Sequence, residues 1–306
     1  MKTVVITGAT SFIGVKLIQE LLTGDFEIYA VVRPNSKKVG LLPASEKIYL
    51  VEADMENYSS LDQFVPKPCN AFVHLAWNGT RGTNRMDATM QEHNYQCSMK
   101  ALDAVLRLGC STVISAGSQA EYGAYNCPIS EETPCIPNTE YGKWKLKFYE
   151  DAFSLCNKNG IHFKEPRFFS LYGPDDFEGT MIISILRKML KNEDCQLTAC
   201  KQMWNYIYIT DAVQGVKKII ELDCADGAYN FGSGIAKPLK EYVEEMARIA
   251  NSQSHLLYGS VPYPTTGMVS IEPVIGKLVK ETKWHPRVTF EQGVSCIIEV
   301  LRCGEE

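Results

Sequence analysis

Apolar residues come along this chain in short runs, and the runs alternate with stretches of helical spacing. The first run, Thr3-Val4-Val5-Ile6, is β-branched and long enough for one buried strand. Gly8 interrupts it, and Phe12, Ile13, Leu17, Ile18, Leu21 and Leu22 then share one helical face. Glu27–Val32, Lys47–Glu52, Ala71–Ala76 and Thr112–Ser115 read as four further strands. Helical patterns separate them at Tyr58–Phe64 and over Met86–Leu108, and another opens at Tyr141 and runs to about Asn159. Such alternation predicts an α/β fold, a doubly wound parallel sheet with helices on both faces. Beyond it, Thr180–Lys191, Asp211–Leu222, Pro238–Ala250 and Thr289–Leu301 read as helices, and Ala228–Gly232 as a short strand and turn.

Composition narrows the picture. A chain of 306 residues, 45% of them hydrophobic, suits one large α/β domain, or a main domain with a smaller lobe. The net charge of -5, with a pI near 5.7 and no basic block, makes nucleic acid an unexpected partner. No apolar run approaches the ~20 residues that span a bilayer, so no membrane is expected. The chain enters a strand at once, so no secretory leader is expected. Eleven scattered cysteines without a Cys-x-x-Cys pair then predict reduced thiols and a cytoplasmic location. His74, His93, His162, His255 and His285 lie far apart, so no metal is expected.

Chemistry enters at the first turn. Free N–H groups at the start of the first helix favour an anion there, such as a cofactor pyrophosphate. Gly8 permits the sharp turn, Gly14 lets the helix approach the sheet, and Ser11 stands where a middle glycine is usual. An ordinary strand–turn–helix without a ligand fits the same pattern. After the second strand, Val32 takes the place of the acidic residue that would bond the ribose hydroxyls of NAD. Arg33, with Ser36, Lys37 and Lys38 near, suits a 2′-phosphate, and therefore NADP. The alternative is a solvated basic loop. Asp54 could accept from an adenine amino group or cap the next helix. Leu75-Ala76-Trp77 would lie over the cofactor, and the polar loop Asn78–Arg85 suits a mobile substrate-facing segment.

Tyr141 and Lys145 are four apart and share a helix face. An ammonium beside the phenol pulls its pKa below ~10 and makes it a proton donor to, or acceptor from, a carbonyl or alcohol oxygen. Ser118 can hold the same oxygen by hydrogen bond.

These stretches together resemble the extended short-chain dehydrogenase/reductases of the nucleotide-sugar epimerase/dehydratase family. Thr7 to Gly14 match its glycine turn except at Ser11, and Asp54, His74-Leu75-Ala76 and Asn94 match its later positions. Ser118 before Tyr122-Gly123, Tyr141 with Lys145, Arg167 to Pro174, Tyr206 to Asp211, and Trp284-His285-Pro286 complete the order. The resemblance implies a Rossmann domain over 1–170 and a smaller C-terminal substrate lobe over 171–306, with about 200–225 returning to the first. It implies Ser118, Tyr141 and Lys145 as catalytic residues. The cofactor contacts it implies are Gly8, Thr10, Ser11, Phe12, Ile13, Gly14, Arg33, Asp54, Met55, Leu75, Ala76, Trp77, Asn94, Tyr141, Lys145 and Phe168. The substrate contacts are Gln119, Glu121, Ser170, Trp204 and Tyr206, with a nucleotide sugar as the substrate. It also implies a homodimer through the helices at Met86–Leu108 and Tyr141–Asn159. Trp204 stands where the family often has a diphosphate-binding Arg, and Ser170 where its epimerases often have Asn. With the wording Gly117 to Gly123, these favour an NADPH-dependent reductase of a nucleotide-linked 4-keto-6-deoxy sugar. A 4-epimerase, a small carbonyl reductase and a non-catalytic NADP-sensing protein are the rivals.

Overall fold

The computed structural model describes residues 1–263 and 268–303. Its strands are β1 (Lys2–Thr7), β2 (Phe26–Val32), β3 (Ile48–Glu52), β4 (Ala71–His74), β5 (Thr112–Ser115), β6 (Gly117–Ser118), β7 (His162–Phe168), β8 (Leu171–Tyr172), β9 (Cys195–Leu197), β10 (Met203–Trp204), β11 (Ile207–Tyr208), β12 (Gly227–Phe231), β13 (Lys237–Pro238) and β14 (Leu256–Tyr258). Its α-helices are α1 (Phe12–Leu21), α2 (Ala88–Leu108), α3 (Glu140–Lys158), α4 (Met181–Leu190), α5 (Ile209–Glu221), α6 (Leu239–Ala250), α7 (Gly276–Thr282) and α8 (Phe290–Cys303).

The main sheet has the order β12-β7-β5-β4-β1-β2-β3, with β6 added beside β7. All of these pairings are parallel. Chain order reverses between β1 and β4, which opens a crevice at the carboxyl ends of those strands. Parallel strands are buried on both faces, so their sequences read as continuous apolar runs. In β1, Val4, Val5 and Ile6 are fully buried.

Two apolar clusters sandwich the sheet. On one face Leu17, Ile18 and Leu21 of α1 pack with Val213 and Val216 of α5, and Phe231, Leu278 and Trp284 join them. On the other, Ala101, Leu102 and Val105 of α2 pack with Phe148 and Ala152 of α3 and with Leu61. A third cluster gathers α4, α6 and α8 around Tyr172, Tyr206 and Tyr242. Among the described residues, no helix is long and apolar enough to cross a membrane. All eleven cysteines are free.

Several predicted elements differ in form. The helix expected at Tyr58–Phe64 is a run of 3-10 turns over Met55–Gln63. The long helix starts at Ala88, because the Asp87 side chain caps it by accepting from Met90 N, and Gly82–Met86 forms a separate 3-10 turn. β7 has no counterpart among the predicted strands. Its sequence, His-Phe-Lys-Glu-Pro-Arg-Phe, looks like a surface segment, yet six of its seven residues are buried. The short strand expected at Ala228–Gly232 is β12, an edge strand of the main sheet in register with β7.

Candidate active site

The crevice is built first by the turn after β1. Gly8 has φ of +68°, and a Cβ there would sit 2.8 Å from Ala76 N. A Cβ on Gly14 would run into the backbone carbonyl oxygens of Gly8 and Ala9. Both positions therefore require glycine. Ser11 is the N-cap of α1, its hydroxyl accepting from Gly14 N at 3.1 Å. That bond uses the serine's lone pair and leaves its O–H as a donor. The first-turn N–H groups of α1 have no intrahelical partner and face the same turn.

A cleft of about 380 Å³ runs from this turn to the end of β2. Of the predicted cofactor residues, Gly8, Thr10, Ser11, Arg33, Asp54, Met55, Leu75, Ala76 and Trp77 line it. Phe12 lines an adjoining cleft of about 300 Å³. Val31, Val32 and Lys38 line the main cleft as well, so the basic end holds two cations, Arg33 and Lys38. Asp54 makes no capping bond to the turn that follows it, which leaves its carboxylate to the cleft. Glu56, Tyr58 and Asn78 also line it and have no sequence signal of their own.

Ile13, Gly14, Asn94, Tyr141, Lys145 and Phe168 are not in this lining, although Trp77, which is, meets both Tyr141 and Lys145. Asn94 is fully buried; its Oδ1 accepts from Asn78 N at 3.0 Å and its Nδ2 donates to Asn78 O at 2.9 Å. It holds the wall instead of forming it. Gln91, one turn earlier, donates to the carbonyls of Gly79 and Asn84, both at 3.0 Å, and accepts from Trp77 Nε1 at 2.7 Å. The loop expected to be mobile is thus tied to α2 by two buried amides. Phe168 packs on Phe231 in the core.

A buried chain fixes the tautomer of His74. Ser98 Oγ donates to Asn94 O at 2.7 Å, so it accepts from His74 Nε2 at 2.8 Å, and His74 Nδ1 accepts from Thr7 Oγ1 at 2.8 Å. Burial and the Lys145 charge hold the imidazole down at about 3, so it stays neutral.

Ser118, Tyr141 and Lys145 converge where β5 ends and α3 begins. Ser118 opens a 3-10 turn as part of a capping box: its hydroxyl accepts from Ala120 N at 3.2 Å, and Glu121 Oε1 accepts from Ser118 N at 2.6 Å. Thr139 caps α3 by accepting from Gly142 N at 3.0 Å, which sets Tyr141 in the first turn. The Lys145 ammonium donates to Ala116 O at 2.7 Å and lies 3.9 Å from the centroid of the Trp77 ring. Trp77 meets Tyr141 edge to face at 6.4 Å.

The electrostatics differ from the expectation that Lys145 lowers Tyr141. Burial pushes Tyr141 up to about 12, against the hydrogen bond from Ser118 and the Arg85 charge, which pull it down. Burial brings Lys145 down to about 8, against the pull of Glu121 and Glu165. The ammonium is directed at a carbonyl and an indole face, so the phenol feels its other neighbours more.

Of the residues assigned to substrate, Gln119 is half-buried beside Ser118, and Ser170 is half-buried with φ of +28°. Glu121 does not face a substrate. It is fully buried and accepts from Arg167 Nε at 2.8 Å, with Glu165 on the same nitrogen at 3.1 Å. Burial and the Glu121 charge raise Glu165 well above the usual carboxylate range, which favours its protonated form. Tyr206 is also core: its hydroxyl donates to Met181 Sδ at 3.2 Å, and the rings of Tyr172, Tyr242 and Phe290 surround it. Trp204 is half-buried, with its Nε1 unpartnered among the described residues. Among the described residues one group of potential metal ligands comes together, Glu56, His93 and Cys97; there His93 Nε2 is hydrogen-bonded to Glu56 at 3.0 Å.

A doubly wound sheet, a glycine turn at its switch point and a Ser–Tyr–Lys set at the neighbouring strand end define an NAD(P)-dependent enzyme of the extended short-chain dehydrogenase/reductase type. The chain belongs to the NAD dependent epimerase/dehydratase family, whose model matches residues 4–232. It is 25% identical to the CDP-abequose synthase of Salmonella muenchen, over 98% of each chain. It is 24% identical to the dTDP-4-dehydro-6-deoxyglucose reductase of Escherichia coli, again over 98% of each. Among solved structures, the UDP-N-acetylglucosamine 4-epimerase of Methanobrevibacter ruminantium M1 superposes with a TM-score of 0.89 over 99% of each chain, at 20% identity.

Proposed function

We propose that this enzyme uses NADPH to reduce a keto group on a nucleotide-activated 4-keto-6-deoxy sugar. The observation that carries the reading is that Tyr141, with Ser118 beside it, and Lys145 both meet Trp77, a wall of the cleft whose far end presents Arg33 and Lys38. Gly8, Thr10, Ser11, Leu75 and Ala76 would hold the cofactor, with Arg33 and Lys38 at its 2′-phosphate. When bound, a reduced nicotinamide supplies a hydride. Tyr141 keeps its proton across the neutral range and can give it to the carbonyl oxygen. Ser118 orients that oxygen. Its hydrogen bond and the Arg85 charge, which pull Tyr141 down, steady the phenolate that proton donation leaves behind, and Lys145, held on Ala116 O and the Trp77 ring, adds positive charge from further off.

A 4-epimerase uses the same residues but must anchor the diphosphate while the sugar turns over. Trp204 offers an indole at a position where a cation would serve that purpose, which favours a single pose and one hydride transfer. The similarity to a named 4-reductase and to CDP-abequose synthase supports the same choice. The test follows NADPH absorbance with CDP- and dTDP-linked 4-keto-6-deoxy sugars, beside product analysis with UDP-hexoses and no added cofactor. Stoichiometric NADPH oxidation is expected; interconversion of UDP-hexose epimers without net NADPH use reverses the choice.

We further propose a homodimer through α2 and α3, which already pack on each other through Tyr95 and Trp144 at 5.2 Å. Light scattering at micromolar concentration should give twice the chain mass of 34.3 kDa.

A further inference from the structure

Two arginines leave the loop between β4 and α2, and they end differently. Arg81 donates to Asp176 at 2.8 Å and lies over the Phe177 ring at 5.2 Å. Arg85 lies over the Tyr141 ring at 5.0 Å, yet no carboxylate or hydrogen-bond acceptor meets it among the described residues. Its Nε is shut off from solvent without a partner. A buried donor left unpaired costs free energy, and native structures keep few of them. The position is not a slack one: Gln91 holds the backbone at Asn84 O, one residue before Arg85. A guanidinium offers its N–H donors in a planar fork that takes two oxygens of a carboxylate or phosphate, and no protein acceptor meets the Nη donors of Arg85 among the described residues.

We propose that Arg85 is an oxyanion receptor of the substrate site, binding a phosphate or carboxylate of the sugar nucleotide beside Tyr141. The proposal rests on the reading of Tyr141 as the reacting residue. Two sources share the chemistry, the diphosphate of the nucleotide carrier and a carboxylate on the sugar ring; the second would replace the 6-deoxy sugar of the reading above, whose C6 is a methyl group, by a hexuronate. Arg85 also pulls the pKa of Tyr141 down, so an anion on Arg85 offsets part of that charge.

The test compares the parent protein with Arg85→Met and Arg85→Lys. Each is saturated with NADPH and titrated calorimetrically with UDP, CDP, UDP-glucose and UDP-glucuronate. NADPH affinity should stay within twofold, since Arg85 does not line the cofactor cleft. Arg85→Met should weaken binding ~10–100-fold, the range of a charge-assisted hydrogen bond. Arg85→Lys should fall between, because it keeps the charge and loses the fork. A loss seen already with UDP or CDP assigns the diphosphate. A loss confined to UDP-glucuronate assigns the ring carboxylate. If both variants bind every probe within twofold of the parent, or if the parent binds none, the receptor is overturned. Should Arg85→Met not bind NADPH, Arg85→Lys alone decides on the same criteria. None of these arms needs turnover. A parent that binds the probes but oxidises no NADPH with keto sugars sinks the reductase reading and leaves the receptor standing.

Discussion

Tyr141 and Lys145 carry opposite shifts from one cause, burial, and this fixes their pH behaviour. Tyr141, pushed up to about 12, stays protonated through any practical assay range. Lys145, brought down to about 8, is the group whose charge is lost within it. In the proposed mechanism the protonated amine is the useful form, so kcat/KM for keto-sugar reduction should fall as pH rises through about 8. Lys145→Arg keeps its charge at all these pH values and should flatten that limb. A limb that stays near 8 in the arginine variant would assign it to another group. Tyr141→Phe should fold and bind NADPH, and lose ~10²–10⁴-fold in turnover, the usual contribution of a positioned general acid. Retention of most of the rate would show that Tyr141 is not the donor.

Among elements, the loop between β4 and α2 shows what spacing alone conveys. Asn94 stood out in the sequence, but its partner Asn78 did not. A side chain that supports a wall looks the same in sequence as one that forms it. Asn94→Ala leaves the Asn78 N–H and C=O without their partner. Stability in urea should drop by about 1–3 kcal/mol, and hydrogen exchange at Asn78 should accelerate. Strands β1, β4 and β5 were legible because central parallel strands, buried on both faces, are mostly apolar, whereas β3 at the sheet edge exposes Tyr49 and Leu50 and was read from its apolar letters alone. β7 was hidden because Lys164, Glu165 and Arg167 are polar letters. Only the fold shows that Arg167 is matched by Glu121 and Glu165. The same pairing removed Glu121 from the substrate contacts. The turn after β1 was readable because nothing but glycine fits at Gly8 and Gly14.

For the whole molecule, the proposed preference for NADPH rests on the charge at the end of β2. Arg33 and Lys38 both line the cleft and both are exposed, so their attraction is screened by salt. Arg33→Ser should reduce the preference for NADPH over NADH by about tenfold at low ionic strength, and less as salt is added. Calorimetric titration with both cofactors reads the ratio, and a parent protein that binds NADH equally well refutes the assignment.

The packing of α1 on α5 has a consequence for how the chain is born. Leu17, Ile18 and Leu21 are covered by Val213 and Val216, partners that lie some 200 residues further on. At ~5–20 residues per second on a ribosome, roughly 10–40 s pass between the emergence of the two helices. For that interval the helix that opens the cofactor turn has the sheet residues Val4, Ile6 and Ile28 to pack with but lacks the cover that α5 supplies. β7 likewise waits for β12 with an open edge. The nascent chain is therefore expected to be a client of ribosome-associated chaperones, and release of a product shortened before α5 should yield aggregate instead of a small cofactor-binding protein.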